Sequence, residues 1–241
     1  MTQQLLFYKN AVPLSNTAHR DVSIRTEGAY GFARSVNSVP LVAAEFRAAA
    51  VEGTIVFAGA GTTAFPVVIL GLAEVQNLFV AEDGRWTGRY LPALIRRYPF
   101  VFAAGQEEGA LTLCIDTEHD GINTDNEGER LFDSRGERTV YLQGVLDFAR
   151  DYQAQFLRTG AFCKRLAELG LLEPMQASYT TPAGETRRLN GFSAVNRDRL
   201  KALGAETVQQ LLQADELEMI FIHLQSLNNL QSLSERLRDR G

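Results

Sequence analysis

The chain is 241 residues long, 45% hydrophobic and 22% charged, with a formal net charge of −5 at pH 7. A chain of this size and balance can bury its own core without disulfide or metal staples. Its acidic balance excludes a broad phosphate-backbone interface, which needs a basic face, so no nucleic-acid partner is expected. The apolar run Leu5–Tyr8 and the turn after Leu14 open a part of the chain that reads as strands and turns, and Val22–Arg25 alternates like a half-buried strand. Pro40 then reads as the first residue of a helix carrying Leu41, Ala44, Glu45, Ala48 and Ala49, closed by Gly53. Thr54–Phe57 and Phe65–Leu70 are β-rich and form a hairpin across a loose glycine-containing turn. Leu78–Val80 and Gly84–Trp86 flank a second hairpin signal, and Tyr90–Tyr98 reads as a short helix. Phe100–Ala103 and Leu111–Ile115 are strands, followed by an acidic surface loop over Asp116–Arg130.

From Val140 to Leu169 the apolar spacing is helical, with Leu142, Val145, Phe148, Ala149, Tyr152, Phe156, Cys163 and Leu166 on one face. Gly170 supplies the stop, and Gly160 is a point where the helix could bend or divide. Gln176–Thr181, the turn Pro182–Glu185 and Thr186–Val195 make a further hairpin. Helices over Asp198–Leu203, Glu206–Ala214 and Glu216–Arg238 complete the chain. The expected fold is mixed α/β of the α+β kind, one domain over residues 1–241. Its antiparallel, β-rich N-terminal half packs with a long central helix and C-terminal helices.

Cys114 and Cys163 lie in apolar segments and read as two reduced, buried thiols; a disulfide or a reactive thiol is the alternative. Residues 1–21 lack the basic, apolar, small-residue order of a cleaved signal peptide. The most apolar stretch, Ala64–Ala73, holds Pro66 and Gly71 and is too short to span a bilayer. The expectation is a cytoplasmic protein that does not span a membrane, any export using another route.

Local strings recur in order along nearly the whole chain. They include His19-Arg20-Asp21, Val39-Pro40-Leu41 with Glu45, Ile55-Val56-Phe57, Gln76–Val80, Gly84-Arg85-Trp86, Tyr90–Ala93 and Arg96–Phe100. Cys114-Ile115-Asp116, Leu131-Phe132-Asp133, Phe162-Cys163 and His223–Leu230 continue them. Together they resemble the SapC family, named for a component of a bacterial surface-layer system. The membrane permease that shares the name is excluded, because the chain has no membrane-length apolar segment. The resemblance implies association with a surface layer or outer envelope and supplies no catalytic residues. It implies a non-catalytic accessory or binding protein with a protein or peptide partner.

Two segments carry candidate chemistry. Asp116, Glu118, Asp120, Gly121 and Glu127 match a calcium-loop template except that Glu118 stands where Asp or Asn is usual. The preceding run is strand-like, however, and Ile122 falls one place early, so a solvated acidic loop is the alternative. No other cofactor is expected. The second segment crowds Arg85, Trp86, Arg89, Tyr90, Arg96, Arg97 and Tyr98 into a short stretch, and His19 is taken with them as a ligand-binding candidate. Arginine forks and aromatic surfaces suit an anion, carboxylate or peptide. The alternative is a packed hairpin–helix corner whose arginines pair with nearby acids. His19, His119 and His223 show no metal-ligand spacing, and His223 reads as a buried or capping polar group. The usual hydrolase, redox and zinc-protease motifs are missing, so an enzyme is not the first expectation. An enzyme or enzyme partner with an anion site at the Arg/aromatic segment, and a calcium-stabilised structural protein, are the other readings.

Overall fold

A computed structural model describes residues 6–26, 28, 30–104, 111–181 and 183–238. In chain order the strands are β1 (Ala11–Pro13), β2 (Ser23–Ile24), β3 (Ser38–Pro40), β4 (Thr54–Ala58), β5 (Phe65–Ile69), β6 (Phe100–Ala104), β7 (Leu111–Asp116), β8 (Ile122–Asn123), β9 (Glu129–Arg130), β10 (Leu172–Thr180) and β11 (Thr186–Val195). The helices are α1 (Phe46–Ala49), α2 (Ala93–Arg96), α3 (Val140–Glu168), α4 (Arg197–Lys201), α5 (Ala205–Gln213), α6 (Glu216–Ser226) and α7 (Leu230–Arg238).

The described strands form antiparallel sheets in the orders β10-β11-β4-β5-β3, β1-β7-β6 and β8-β2-β9. The mixed α/β fold class is as the sequence leads one to expect. The largest sheet also recruits the β10–β11 hairpin from the C-terminal half, joined to β4 through Phe192 and Ser193. β10 is its outermost strand, where Pro174 removes no ladder hydrogen bond.

α3 is the spine. Its 29 residues give a rod of about 43 Å at 1.5 Å per residue. Thr139 caps its start by accepting from Leu142 N at 3.2 Å. Gly170, at φ +64°, ends it: Gly170 N and Leu171 N donate to the carbonyls of Ala167 and Leu166, the pairing of a Schellman motif. Leu142, Leu146 and Ala149 bury into one apolar cluster with Ile24, Phe100, Leu113, Ile115 and Phe132. Tyr152, Phe162, Cys163 and Leu166 bury into the larger cluster on the five-stranded sheet. One helix thus anchors both cores. Gly160 does not divide it.

Several local expectations are corrected. Pro40 ends β3 instead of opening a helix, because it pairs with Val67 at the sheet edge, where its missing N–H costs nothing. The helical path begins at a 3-10 turn over Ala43–Glu45, where the Glu45 carboxylate accepts from Val42 N at 3.0 Å. Val22–Arg25 does not alternate: Ser23 and Ile24 are both buried, since β2 is the central strand of its small sheet. Phe7 and Tyr8 are buried but lie in a turn, and Leu5 and Pro182 fall outside the described residues. The final helix is broken by a 3-10 turn at Leu227–Asn229. There Ser226 Oγ accepts from Ile55 N, and Asn229 Nδ2 donates to the carbonyls of Ala50 and Gly53. These side chains bind sheet-side backbone at the point where the helix breaks. Both cysteines are free and buried, and burial pushes the Cys163 thiol up to about 12. Among the described residues no helix is long and apolar enough to cross a membrane.

Candidate functional site

The Arg/aromatic corner is assembled on one buried carboxylate, Glu45, and one half-buried carboxylate, Glu52. Glu45, 6% exposed, accepts from Tyr90 Oη at 2.8 Å and Ala93 N at 2.7 Å with Oε1, and from Val42 N with Oε2. Burial raises its pKa; the three hydrogen bonds and nearby Arg96 pull the other way. Glu52 accepts from Arg89 N and, at 3.1 Å, from Tyr90 N, while Arg236 of α7 donates to its other oxygen at 3.0 Å. The loop that carries Trp86 to Tyr90 is therefore pinned to the α1 region from both ends.

Trp86 stacks on Phe79 at 5.4 Å between centroids and donates from Nε1 to Tyr90 O at 3.0 Å. Arg236 covers Phe79 at 4.5 Å. Gly88 allows this approach, since a Cβ there would sit 2.8 Å from Trp86 Nε1 and 2.9 Å from Glu52 Oε1. The cavity beside Trp86, Tyr90, Glu52 and Phe79 measures about 10 Å3, room for one water at most.

Past α2 the arginines turn onto aromatic rings. The Arg96 guanidinium lies 4.8 Å from the Phe148 ring centre. Arg97 lies 4.7 Å from the ring of Tyr152 and 5.9 Å from that of Tyr8, and its Nε donates to Tyr8 Oη at 3.3 Å. Such stacking is worth about 0.5–2 kcal/mol, depending on desolvation. Arg96 and Arg97 form no ion pair among the described residues, whereas eight other arginines do. Burial pushes the Tyr8 phenol up to about 12 and raises those of Tyr90, Tyr98 and Tyr152, so all four are neutral donors. The Tyr152 hydroxyl is buried with no hydrogen-bond partner among the described residues.

Tyr98 packs against Phe32 at 4.2 Å and Tyr8 at 5.0 Å, and its hydroxyl donates to Asp116 Oδ2 at 3.2 Å. The two segments singled out in the sequence therefore meet at one hydrogen bond. Asp116, fully buried at the end of β7, also accepts from Lys9 N, Asn10 N and Glu118 N. Burial pushes its pKa up, but these donors outweigh it and hold the carboxyl below its ordinary value.

The remaining candidates are dispersed. Glu118 and Asp120 are exposed, and Glu127 pairs with Arg25 at 2.9 Å. Asn123 Oδ1 accepts from Asp125 N and Glu127 N, folding the loop on itself. Among the described residues no group of three or more His, Cys, Asp or Glu side chains is placed to hold a metal ion. Arg85 is exposed and pairs with Asp83 at 3.6 Å, and Arg89 is exposed. His19 hydrogen-bonds within its own turn, through Nδ1 to Ser15. That turn borders a separate open groove of about 1010 Å3, floored by Leu14, Phe102, Leu113, Phe132, Leu142 and Leu146.

Reading the sequence for this corner misses Tyr8, Glu45, Glu52, Phe148, Tyr152 and Arg236 as members. They arrive from elements up to 184 residues away, as with Arg236 and Glu52, so no local spacing marks them. Glu45 and Glu52 flank α1, and with Arg47 between them no local charge pattern marks either as an anchor for this corner.

A family model described as SapC matches residues 14–233. No curated protein and no solved structure matches the chain.

Proposed function

The chain belongs to the SapC family, and from that premise we propose that it is a non-catalytic binding protein of a bacterial surface-layer or outer-envelope system. Its partner is a protein or peptide, engaged at the Arg96–Arg97 corner. One observation carries this reading: two neighbouring guanidiniums are held on aromatic rings and, among the described residues, form no ion pair with a carboxylate. Held cations with free hydrogen-bonding edges, beside aromatic surface, match the chemistry enriched at interface hot spots. Trp86 supports the site from within, its ring already packed on Phe79 and its N–H already used.

The test is selection from a displayed random-peptide library on wild type and on the Arg96→Glu/Arg97→Glu variant, with both melting curves recorded. The expected result is convergent acidic sequences on wild type alone. Equal enrichment on both proteins, or none on a folded wild type, contradicts the reading.

An enzymatic reading is favoured by a single observation, the raised Glu45 carboxyl and unpartnered Tyr152 phenol within electrostatic reach of each other. Both Glu45 oxygens are occupied by donors, which suits a structural anchor better than a proton carrier. Turnover of any substrate that is abolished by Tyr152→Phe in a folded protein would reverse that preference.

A further inference from the structure

We infer that Arg97 receives a single planar carboxylate, supplied by a peptide's C-terminus or by an acidic side chain. The inference rests on the binding reading above and adds the ligand's chemical class. The Arg97 guanidinium lies over the ring of Tyr152 at 4.7 Å and that of Tyr8 at 5.9 Å. Its Nε is tied to Tyr8 Oη, which in turn donates to Phe100 O at 2.7 Å, so the plane is set by a buried chain of contacts. Among the described residues only Nε of this guanidinium has a hydrogen-bond partner, so its two terminal amino groups remain as a pair of donors that matches the two oxygens of a carboxylate. Because the rotamer is already fixed, little side-chain entropy is lost when the anion arrives.

A second observation lies beside it. Tyr152, 6% exposed, has a hydroxyl without a hydrogen-bond partner among the described residues, an unused donor beside the same guanidinium. Arg96, on Phe148, adds a second positive charge one residue away.

The surrounding charges select a monoanion. Glu45 and Asp116 both act electrostatically on this tyrosine set, Glu45 on Tyr152 and Asp116 on Tyr8. Their negative field opposes a phosphate dianion about twice as strongly as a carboxylate.

The probes are N-acetylglycine, which has a free carboxylate, N-acetylglycinamide, which lacks that charge, and a capped glutamate, whose only carboxylate is on the side chain. Arginine Nε–H resonances are followed by NMR at constant ionic strength, with Arg97 assigned from the Arg97→Lys variant. Saturable movement of the Arg97 signal with either carboxylate, and none with the amide, supports the inference. The acid that saturates first identifies the source. Arg97→Lys keeps the charge but loses the fork and should weaken binding about tenfold or more, read on the Tyr8 and Tyr152 ring signals. Equal response to acid and amide, stronger response to inorganic phosphate, or unchanged affinity in a folded Arg97→Lys protein overturns it. If selected peptides bind wild type but ignore loss of their carboxylates, the carboxylate inference falls and the partner reading stands. If N-acetylglycine binds at Arg97 while no peptide is selected, the ligand class stands and the partner reading falls.

Discussion

Replacing His223 by glutamine should flatten the protein's loss of stability between pH 6.5 and 4. His223 is fully buried on α6. Its Nε2 accepts from Val195 N at 3.0 Å, so Nδ1 must carry the proton and donate to Ile55 O at 2.9 Å. The ring also meets Phe57 edge-on at 4.9 Å, so one neutral imidazole ties α6 to both β4 and β11. Adding a second proton would set an N–H against the Val195 N–H in a dry site. Burial accordingly lowers the pKa to about 4, from 6.5 for the free side chain. Between those values the unfolded chain binds the proton and the folded chain does not, so stability is complete above pH 6.5 and falls as pH drops toward 4. At roughly 1.4 kcal/mol per pH unit, that gap amounts to about 3 kcal/mol. Glutamine offers one donor and one acceptor and does not titrate. It should cost about 1–2 kcal/mol at pH 7 through imperfect geometry and the lost ring contact. Urea unfolding of both proteins at half-unit steps from pH 7.5 to 4 gives the difference curve. His119, also lowered by burial, and Glu45, raised by it, are common to both proteins and cancel in that difference. If the glutamine variant loses stability as steeply as wild type, the reasoning is refuted.

Other outcomes follow from single positions. Gly160→Ala, in a helix interior with open space at its Cβ, should raise stability by about 0.5–1 kcal/mol in chemical unfolding; a loss would show that the glycine is needed there. Gly88→Ala should cost about 1–3 kcal/mol and shift Trp86 fluorescence, because the new methyl meets Trp86 Nε1 and Glu52 at 2.8 and 2.9 Å. An unperturbed spectrum and melting curve would count against the packing of that corner. Asp116→Asn should cost about 2–3 kcal/mol at pH 7 by replacing a carboxylate that accepts four hydrogen bonds. Since the Asp116 pKa is held below 3.8, its share of stability is present above that pH and is lost only below it, which acid titration of the two proteins checks. Millimolar calcium should leave the melting temperature where a chelator leaves it, since Asp116 and Glu127 are engaged elsewhere; a rise would restore the acidic loop as a calcium site.

The long elements were legible because their own periodicity carries them. The antiparallel pairs β4–β5, β6–β7 and β10–β11 likewise join strands close in sequence. Pro40 misled because proline tolerates both a first helical turn and a sheet edge, and only pairing with Val67 decides between them. Asp116 shows a related limit of local pattern. Carboxylates at alternate positions match a calcium loop, yet the first of them faces the backbone of Lys9 and Asn10, over a hundred residues earlier in the chain. The Arg/aromatic segment was visible as composition, and five of its residues do share one corner. Its state, cations lying over aromatic rings, depends on Tyr8, Phe148 and Tyr152, which no local pattern connects to it.

The most direct measurement is the dissociation constant of a display-selected acidic peptide for wild type and for Arg96→Ala/Arg97→Ala, determined side by side on proteins with matching melting curves. Binding at least about tenfold weaker in the double variant is the predicted result, as expected for charge-assisted contacts. Equal constants would contradict the assignment of this corner as the partner-binding surface.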